Sequence, residues 1–324
     1  MSKKTTLSMI VKVNKKVAEA DGIVRVELVD PHGRELPAFT AGSHIDVQVA
    51  PDTIRQYSLS NAPWDNKRYQ LGVLREPESR GGSTAVHDAL NEGDLLQISA
   101  PRNHFELRPA ARKSLLLAGG IGITPIYSMA QQLDREGKEF EFHYAAKSRG
   151  CMAFLDELED GPFSDRCHFY LSDEPDTGRV DMAALAKNVE PDTHLYVCGP
   201  ERFTDSALQT FKEAGWPVDH LHTEYFVAED IDTSDDGSFK VRLASTGEEF
   251  DIPADETIAN VLIDNDIDLL TSCEQGICGT CLTKVLEGTP EHRDRYLDDD
   301  EHAANDQMTV CCSRSKSPLL VLDL

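Results

Sequence analysis

Positive charge is scarce in this 324-residue chain, where 32 lysines and arginines stand against 57 aspartates and glutamates, a net charge of −25. Proteins that bind nucleic acid or anionic membranes need basic residues to neutralise phosphates, so neither partner is expected. No apolar run of about 18 residues occurs, and no membrane span is predicted. The first residues, Met1 to Thr6, lack the apolar region of a signal peptide, which predicts a cytoplasmic protein.

Cysteine is also sparse, with eight residues in all, and four of them share one pattern near the C-terminus. Cys273, Cys278 and Cys281 have the spacing C-x4-C-x2-C, and Cys311 follows after 29 further residues. Four thiolates at this spacing hold a 2Fe–2S cluster in plant-type ferredoxins. A structural zinc site usually pairs one C-x-x-C with a second, which is missing here. The pattern therefore predicts a 2Fe–2S cluster and not a disulfide framework.

The fourth ligand has to be chosen between the adjacent Cys311 and Cys312. The preceding residues, Met308 to Val310, are predicted to form a strand that runs into the site. Neighbours on a strand face opposite ways, so only one of the two thiols can point at the cluster. Plant-type ferredoxins place the ligand before a small hydrophobic residue, and Cys312 suits that second position. We expect Cys311 to be the ligand.

Three kinds of periodicity divide the chain into domains. Residues 1–110 contain short alternating strands separated by turns, which favour an antiparallel β-barrel. Residues 111–228 alternate strands with helices, the mark of an α/β domain with a parallel sheet. A polar linker is expected at 229–236, and residues 237–324 predict a small α+β domain of the β-grasp type.

Acidic residues are most concentrated in the last part of the chain. From Glu229 to Leu324 there are 23 aspartates and glutamates against 7 lysines and arginines, a balance of −16. One interpretation is a solvated surface. The other is electrostatic steering of a protein partner that is basic near its own redox centre.

A strand predicted at Arg55 to Ser60 carries an unusual set of side chains. Alternation places Arg55 and Tyr57 on one face, and Gln56 and Ser58 on the other. A cation suits a phosphate group, an aromatic ring suits a planar ligand, and a hydroxyl suits a ring heteroatom. This strand is therefore a candidate binding site.

An anion site is predicted a little further on, where a short helix begins. Free N–H groups at a helix start favour negative charge, and two hydroxyls add donors. The residues of this segment are Gly81, Gly82, Ser83 and Thr84.

A glycine-rich loop follows the buried strand Ser114 to Ala118 and precedes a helix. Glycines allow a close backbone approach to a pyrophosphate, and the helix start supplies donors. The loop is not the Rossmann fingerprint, because a proline replaces its last glycine and no acidic residue follows the next strand. The residues of the loop that we single out are Gly119, Gly120, Gly122, Thr124 and Pro125.

A second candidate lies where a later strand ends, at Cys198, Gly199 and Pro200. Open α/β sheets bind their ligands at the C-terminal ends of the strands. Taken alone, Cys198 could equally be a small buried hydrophobic residue of the core.

Together these motifs resemble the ferredoxin–NADP reductase superfamily. The resemblance implies that Arg55 and the helix start at Gly82, Ser83 and Thr84 hold a flavin phosphate. It also implies that Tyr57 packs on the isoalloxazine ring and that Ser58 faces its N5 edge. The glycine loop and Cys198-Gly199-Pro200 match the NAD(P) signature, which places Cys198 beside the nicotinamide.

The domain order, with the ferredoxin last, is similar to the phthalate dioxygenase reductase family, which includes the vanillate O-demethylase reductases. This resemblance implies FMN, NADH and a 2Fe–2S cluster, with delivery of electrons to a Rieske-type oxygenase of aromatic catabolism. Flavin accepts two electrons as hydride and releases them singly, so it stands between NADH and the cluster. A monomer is expected.

Alternatives remain at several points. Lys147 or Arg149 could bind the 2′-phosphate of NADPH, whereas Asp173 could accept from a free 2′-hydroxyl; the resemblance favours NADH. Phe226 either covers the flavin or is a packing aromatic. The partner is alternatively a diiron or haem monooxygenase, or the protein is a redox sensor without turnover.

Overall fold

The computed structural model describes residues 7–51, 53–77, 81–174, 178–187, 190, 192–226, 236–271 and 273–324. The chain forms two compact units, of which one is Leu7–Tyr225 and the other contains Phe226–Leu324. The barrel and the parallel sheet expected from the sequence therefore belong to a single unit. Of the expected linker, 229–236, only Asp236 is among the described residues.

The first part of the larger unit is an antiparallel barrel with one short helix. Its elements are β1 (Leu7–Ala20), β2 (Ile23–Val29), β3 (Ser43–Ala50), β4 (Thr53–Ser58), β5 (Tyr69–Leu74), α1 (Gly82–Asp88), β6 (Leu95–Ser99) and β7 (Arg102–Asn103). The strand order is β4-β3-β6-β1-β2-β5, with β7 paired to β3. A bridge between Leu59 and Leu71 joins the two ends of this order and curls the sheet into a barrel. Inward side chains such as Val11, Ile45 and Ile98 are fully buried.

The second part of the larger unit is a parallel sheet in the order β10-β9-β8-β11-β12. Its elements are β8 (Lys113–Gly119), α2 (Ile123–Arg135), β9 (Glu139–Ala146), α3 (Leu155–Glu159), β10 (Cys167–Leu171), α4 (Met182–Lys187), β11 (Thr193–Cys198), α5 (Glu201–Glu213) and β12 (Leu221–Glu224). Leu116 packs on the α2 side, whereas its neighbour Leu117 packs on the α4 and α5 side. Both faces are covered, which explains why β8 is a continuous apolar run.

The smaller unit is a mixed sheet in the order β14-β13-β19-β15-β17. Its elements are β13 (Phe239–Leu243), β14 (Glu249–Ile252), α6 (Ile258–Asp264), β15 (Leu282–Glu287), β16 (Pro290–Glu291), α7 (Asp299–Ala304), β17 (Gln307–Thr309), β18 (Arg314–Ser315) and β19 (Leu319–Leu322). The terminal strand β19 lies parallel to β13 in the centre. Helix α6 begins where the Thr257 hydroxyl accepts from the Asn260 N–H at 3.0 Å, an N-cap.

The fold class predicted from the sequence, an antiparallel barrel with a parallel α/β sheet and a β-grasp ferredoxin domain, is confirmed. One local prediction needs correction, because the strand expected at Met308 to Val310 ends at Thr309 and the chain turns from there to Cys312. The alternation argument for Cys311 therefore does not apply at that point. Within the described residues, no helix has the length and apolar character needed to cross a membrane.

Candidate cofactor sites

The Arg55 side chain lies over the first turn of α1. A methyl group added to Gly82 would come 2.5 Å from the Arg55 Nε, so only glycine leaves room for the guanidinium at the helix start. Gly81, directly before the helix, has a φ of 85°, a conformation that glycine adopts readily. The helix N–H groups and the guanidinium thus form a cradle of the kind that a phosphate fits.

The other residues of this helix start are placed differently from one another. The Ser83 hydroxyl accepts from the Glu76 N–H at 3.1 Å, which fastens the preceding loop to the helix. Thr84 is half-buried beside it. The structure therefore brings Arg55 against the start of α1, and the anion site stays a prediction.

Strand β4 presents Tyr57 and Gln56 to different surroundings. Burial raises the pKa of Tyr57 to about 12, and its ring packs against the barrel core. The Gln56 amide donates to the buried carboxylate of Asp46 at 3.0 Å, and Arg102 binds the same carboxylate at 2.7 Å. Gln56 therefore has a structural partner in the barrel.

Ser58, at the end of β4, makes a contact that spans the barrel and the parallel sheet. Its hydroxyl donates to Glu224 Oε2 at 3.1 Å. Glu224 ends β12, where it lies beside Cys198 in the parallel ladder. Burial raises the pKa of the Cys198 thiol, and the Glu224 carboxylate raises it further. The flavin and nicotinamide motifs thus meet at Glu224.

Sequence reasoning missed Glu224. An acidic residue at the end of a strand was a possible signal, since the C-terminal strand ends of open sheets carry ligand sites. This signal was not enough to identify Glu224, because the local sequence does not show that β12 pairs with β11.

The glycine loop folds against the Cys198-Gly199-Pro200 segment. A methyl group on Gly122 would come 2.3 Å from the Cys198 carbonyl oxygen, and one on Gly199 would come 2.9 Å from the Gly119 Cα. Gly120 has a φ of 52° and opens a short 3-10 turn before α2. The two motifs are therefore one backbone cradle at the ends of β8 and β11.

The remaining residues of that loop shape the start of α2. The Thr124 hydroxyl donates to the Ile121 carbonyl at 3.1 Å, and Pro125 is buried in the first turn. Proline is tolerated there because the first-turn N–H groups have no partner within the helix.

The candidates for nucleotide selectivity lie at the ends of β9 and β10. The Asp173 N–H donates to the Lys147 carbonyl at 3.0 Å, which holds the two segments together. The Arg149 guanidinium is bonded to Glu159 at 2.7 Å, a partly exposed pair. Asp173 itself is exposed.

In the smaller unit, the four predicted cluster ligands come together. The Cys273 thiol contacts those of Cys278 and Cys311, and Cys311 also contacts Cys281. Hydrogen bonds from Cys278 and Cys311 lower the pKa of Cys273. Cys278, Cys281 and Cys311 are at most 4% exposed. Four converging sulfurs in a dry setting fit a 2Fe–2S cluster.

The loop around these sulfurs depends on two glycines with positive φ, Gly276 at 70° and Gly279 at 65°. A methyl group on Gly279 would come 2.2 Å from the Tyr296 ring. The Gln275 N–H points at the Cys273 sulfur at 3.4 Å. Backbone donors of this kind stabilise the negative charge that an iron–sulfur cluster carries.

Cys312 lies next to this group of sulfurs. The Thr309 hydroxyl is 3.2 Å from its sulfur, and Gly276 packs closely against it. Cys311 is the member of the adjacent pair that contacts both Cys273 and Cys281. Phe226 is 37% exposed and is the last described residue before 236.

Two family models match the chain. The model of a 2Fe–2S iron–sulfur cluster binding domain matches residues 241–316, and that of an oxidoreductase NAD-binding domain matches residues 116–209. The vanillate O-demethylase oxidoreductase of Pseudomonas putida is 50% identical over 307 residues, which are 94% of this chain and 96% of that protein. The chain belongs to the phthalate dioxygenase and vanillate O-demethylase reductase family.

Solved structures agree with this membership. A phthalate dioxygenase reductase, described as a modular structure for electron transfer from pyridine nucleotides to 2Fe–2S, is 37% identical and has a TM-score of 0.76, with 98% of both chains covered. An intact type IV self-sufficient cytochrome P450 monooxygenase is 41% identical, with a TM-score of 0.85 over 97% of this chain and 41% of that one. The family match accounts for both the NAD-binding and the 2Fe–2S domains.

Proposed function

We propose that this protein carries electrons from NADH through FMN to its 2Fe–2S cluster and then to a Rieske-type oxygenase. The observation that carries the proposal is the position of Glu224. It receives the Ser58 hydroxyl from the flavin motif and lies beside Cys198 of the nicotinamide motif. A hydride donor and a hydride acceptor have to meet, and these two motifs do.

In this proposal the domains divide the work in chain order. Residues 1–110 bind FMN and residues 111–228 bind NADH. Residues 229–236 link these to the ferredoxin domain, 237–324. The proposal is supported by the family membership. It is also supported by the position of the flavin motif in the barrel, of the glycine loop in the parallel sheet and of the four cysteines in the smaller unit.

In this proposal, polar and charged groups bind the flavin phosphate and an aromatic side chain packs on the flavin ring. Arg55, Gly82, Ser83 and Thr84 bind the phosphate, and Tyr57 packs on the ring. Ser58 lies at the N5 edge, and Gly81 permits the turn before α1. Gln56 contributes indirectly, because its amide donates a hydrogen bond to Asp46 in the neighbouring strand β3. A mononucleotide needs only this one phosphate cradle.

The nicotinamide nucleotide is held by the glycine cradle. Gly119, Gly120 and Gly122 let the pyrophosphate approach the start of α2, where Thr124 and Pro125 shape the first turn. Gly199 and Pro200 hold the opposite wall, and Cys198 places its sulfur beside the nicotinamide. Asp173 accepts from the ribose 2′-hydroxyl, which favours NADH, because Arg149 is already bonded to Glu159.

Bound FMN supplies the chemistry of accepting two electrons together and releasing them singly. The chain's own residues bind, orient and exclude water. Cys198 and Gly122 are buried, so they would keep solvent from the face of a bound nicotinamide. The bond to Glu224 fixes the Ser58 hydroxyl, which would face the N5 edge of bound FMN. No general acid–base pair is required for hydride transfer itself.

The cluster, held by Cys273, Cys278, Cys281 and Cys311, is the exit for electrons. The −16 balance from Glu229 onwards favours a partner that is basic near its redox centre. We place the protein in the cytoplasm, as a monomer, in the catabolism of aromatic compounds.

A haem monooxygenase is the second candidate partner, because the chain also matches a segment of a self-sufficient cytochrome P450. In that protein the matching segment is 41% of the chain, whereas this chain covers 96% of the vanillate enzyme. The nearly complete match to a separate reductase favours the Rieske-type partner.

The test is an NADH-driven cytochrome c reduction assay with purified protein loaded with flavin and iron–sulfur cluster. Turnover with NADH at a lower KM than NADPH supports the proposal, and a loaded protein without turnover indicates the redox sensor. Affinity capture from the source cell then identifies the partner. A co-purifying haem protein in place of a Rieske oxygenase would select the second candidate.

A further inference from the structure

His44 is a buried histidine in β3, and strand alternation places it on the face opposite the inward-facing Ile45. It lies directly opposite Ser58 in the antiparallel ladder between β3 and β4. His44 is 4% exposed, and neither nitrogen of its ring has a hydrogen-bond partner in the described part of the chain. Its Nδ1 lies 3.6 Å from Glu224 Oε1. Buried polar atoms are rarely left without a partner in native proteins, so this imidazole calls for an explanation.

The contacts of Glu224 provide one. Ser58 occupies one carboxylate oxygen, Oε2, and His44 faces the other, Oε1. Both residues come from neighbouring strands of the barrel, and both are aimed at the same carboxylate. A proton that reaches the Ser58 hydroxyl therefore has an adjoining acceptor, and that acceptor has a titratable neighbour.

The same row of groups continues to the surface. The rings of His44 and His104 have centroids 5.6 Å apart, and His104 is exposed. The other charged groups around the two rings are Arg102, Glu106 and, beyond Glu224, the Cys198 thiol. Arg102 lies opposite His44 in the sheet, but its guanidinium is bonded to Asp46 at 2.7 Å. His44 thus stands between the partly buried carboxylate of Glu224 and the exposed His104.

If the protein has the proposed function, its reaction needs a path for protons from the site to solvent. Oxidation of one NADH releases two electrons and one proton. Two 2Fe–2S clusters, or one cluster used twice, take only the electrons. Bound FMN would take up the hydride and would give back its proton once both electrons had passed on. The residues beside it would therefore have to carry one proton to water for each NADH oxidised.

We propose that His44 relays this proton, in the order Ser58, Glu224, His44, His104 and solvent. His44 acts through Glu224 and is a positioning and relay residue, since it does not touch the flavin motif itself. Its imidazole accepts the proton at Nδ1, which faces Glu224, and releases one from Nε2. Histidine suits the task because an imidazole can accept a proton at one ring nitrogen and release one from the other.

The experiment is anaerobic stopped-flow mixing of the loaded protein with NADH, using a pH-indicator dye in weak buffer. Flavin and cluster absorbance report the electrons, and the dye reports the released proton. In the His44→Gln variant we expect flavin bleaching by NADH to be unchanged. Reoxidation of the flavin and proton release should slow by about a hundredfold, the lower end of what a positioned proton acceptor contributes. The solvent deuterium isotope effect on that step should rise.

His104→Gln is the second variant. Because His104 is exposed, this substitution should not prevent folding, and it tests the relay even if His44→Gln fails to fold. It should slow proton release with a change in the pH profile. The matched control is His32→Gln, an exposed histidine of a barrel loop. An independent readout on the resting protein is the imidazole nitrogen NMR spectrum, in which Glu224→Gln should move the Nδ1 resonance of His44, because it alters the group 3.6 Å from that atom.

The outcomes separate the relay from the proposed function. Wild-type protein that reduces cytochrome c with NADH, together with unchanged proton release in both variants, overturns the relay alone. Wild-type protein that cannot pass electrons to the cluster overturns the proposed function, and the relay falls with it. Slowed proton release in His44→Gln with an unchanged hydride step supports both.

Discussion

Gly122 and the carbonyl group of Cys198 are so close that one methyl group would not fit between them. An added Cβ at Gly122 would come 2.3 Å from that carbonyl oxygen. The contact joins the start of α2 to the end of β11, and it is made by backbone on both sides. Glycine is therefore required at this position by the neighbouring strand, and its own φ of −61° is ordinary.

The Gly122→Ala variant should bind NADH more weakly, because the backbone of the cradle has to move apart. Overpacking of this kind costs about 1–3 kcal/mol. We expect a raised KM for NADH and a lower Tm, measured by steady-state kinetics and calorimetry. The control is Gly237→Ala, where an added methyl group meets no atom within 4 Å. An unchanged KM in Gly122→Ala would show that the cradle does not hold the nucleotide.

The Gly82→Ala variant should displace the Arg55 side chain, whose Nε lies 2.5 Å from the position of the new Cβ. A flexible side chain can move away, so Tm should change little. The affinity for FMN should fall by about 10- to 100-fold, the value of one hydrogen bond to a charged group. Fluorescence titration of flavin-free protein measures it, and Arg55→Gln should show the same loss. Arg34→Gln, with an exposed guanidinium, is the control for charge.

The Cys311→Ser variant should lose the visible absorbance of the 2Fe–2S cluster, because Cys311 contacts both Cys273 and Cys281. The Cys312→Ser variant should keep it. Absorption and EPR spectra after anaerobic reconstitution distinguish the two. A normal spectrum in Cys311→Ser with a lost spectrum in Cys312→Ser would reverse the assignment.

The Asp236→Ala variant should destabilise the smaller unit. The Asp236 side chain is 5% exposed and accepts from Arg293 Nη1 at 2.9 Å, while Arg314 lies 3.3 Å from the same carboxylate. Removal of one partner leaves buried charges uncompensated, which costs roughly 3–5 kcal/mol. Urea titration followed by cluster absorbance measures this change.

The matched control for that substitution is Asp251→Ala. Asp251 pairs with Lys240 at 3.0 Å, but its side chain is 80% exposed. Exposed pairs contribute about 0–1 kcal/mol, so this variant should unfold almost as the wild type does. Equal losses in the two variants would contradict the role of Asp236.

Stability should fall in acid partly because of His143. Burial lowers its pKa to about 4, with a smaller contribution from His168. The unfolded chain has a histidine pKa near 6.5, so below that pH the unfolded state binds a proton that the folded state excludes. Stability is therefore lost between pH 6.5 and about 4, by roughly 3 kcal/mol.

Urea titrations between pH 7 and 4 measure this dependence. In His143→Gln the loss of stability over this range should be smaller by that amount, while His32→Gln should follow the wild type. An identical pH dependence in His143→Gln would show that the folded protein accommodates the charged ring.

The sites whose residues are contiguous could be predicted from the sequence. The spacing of Cys273, Cys278 and Cys281 is set within one loop, where glycines with positive φ bend the backbone around the sulfurs. The apolar run before Gly119 and the alternation in Ile23–Val29 report local periods that burial imposes. Short-range geometry of this kind is written directly into residue order.

Contacts between distant segments needed the folded chain. Glu224 meets Ser58 across 166 residues, and His44 reaches the same carboxylate from another strand. The turn at Val310, which brings Cys311 towards Cys273, is likewise set by packing and not by strand alternation. Residue order specifies which local elements form. Which side chains share a carboxylate depends on the pairing of β3 with β4 and of β11 with β12, because each pairing is chosen by the burial of whole faces.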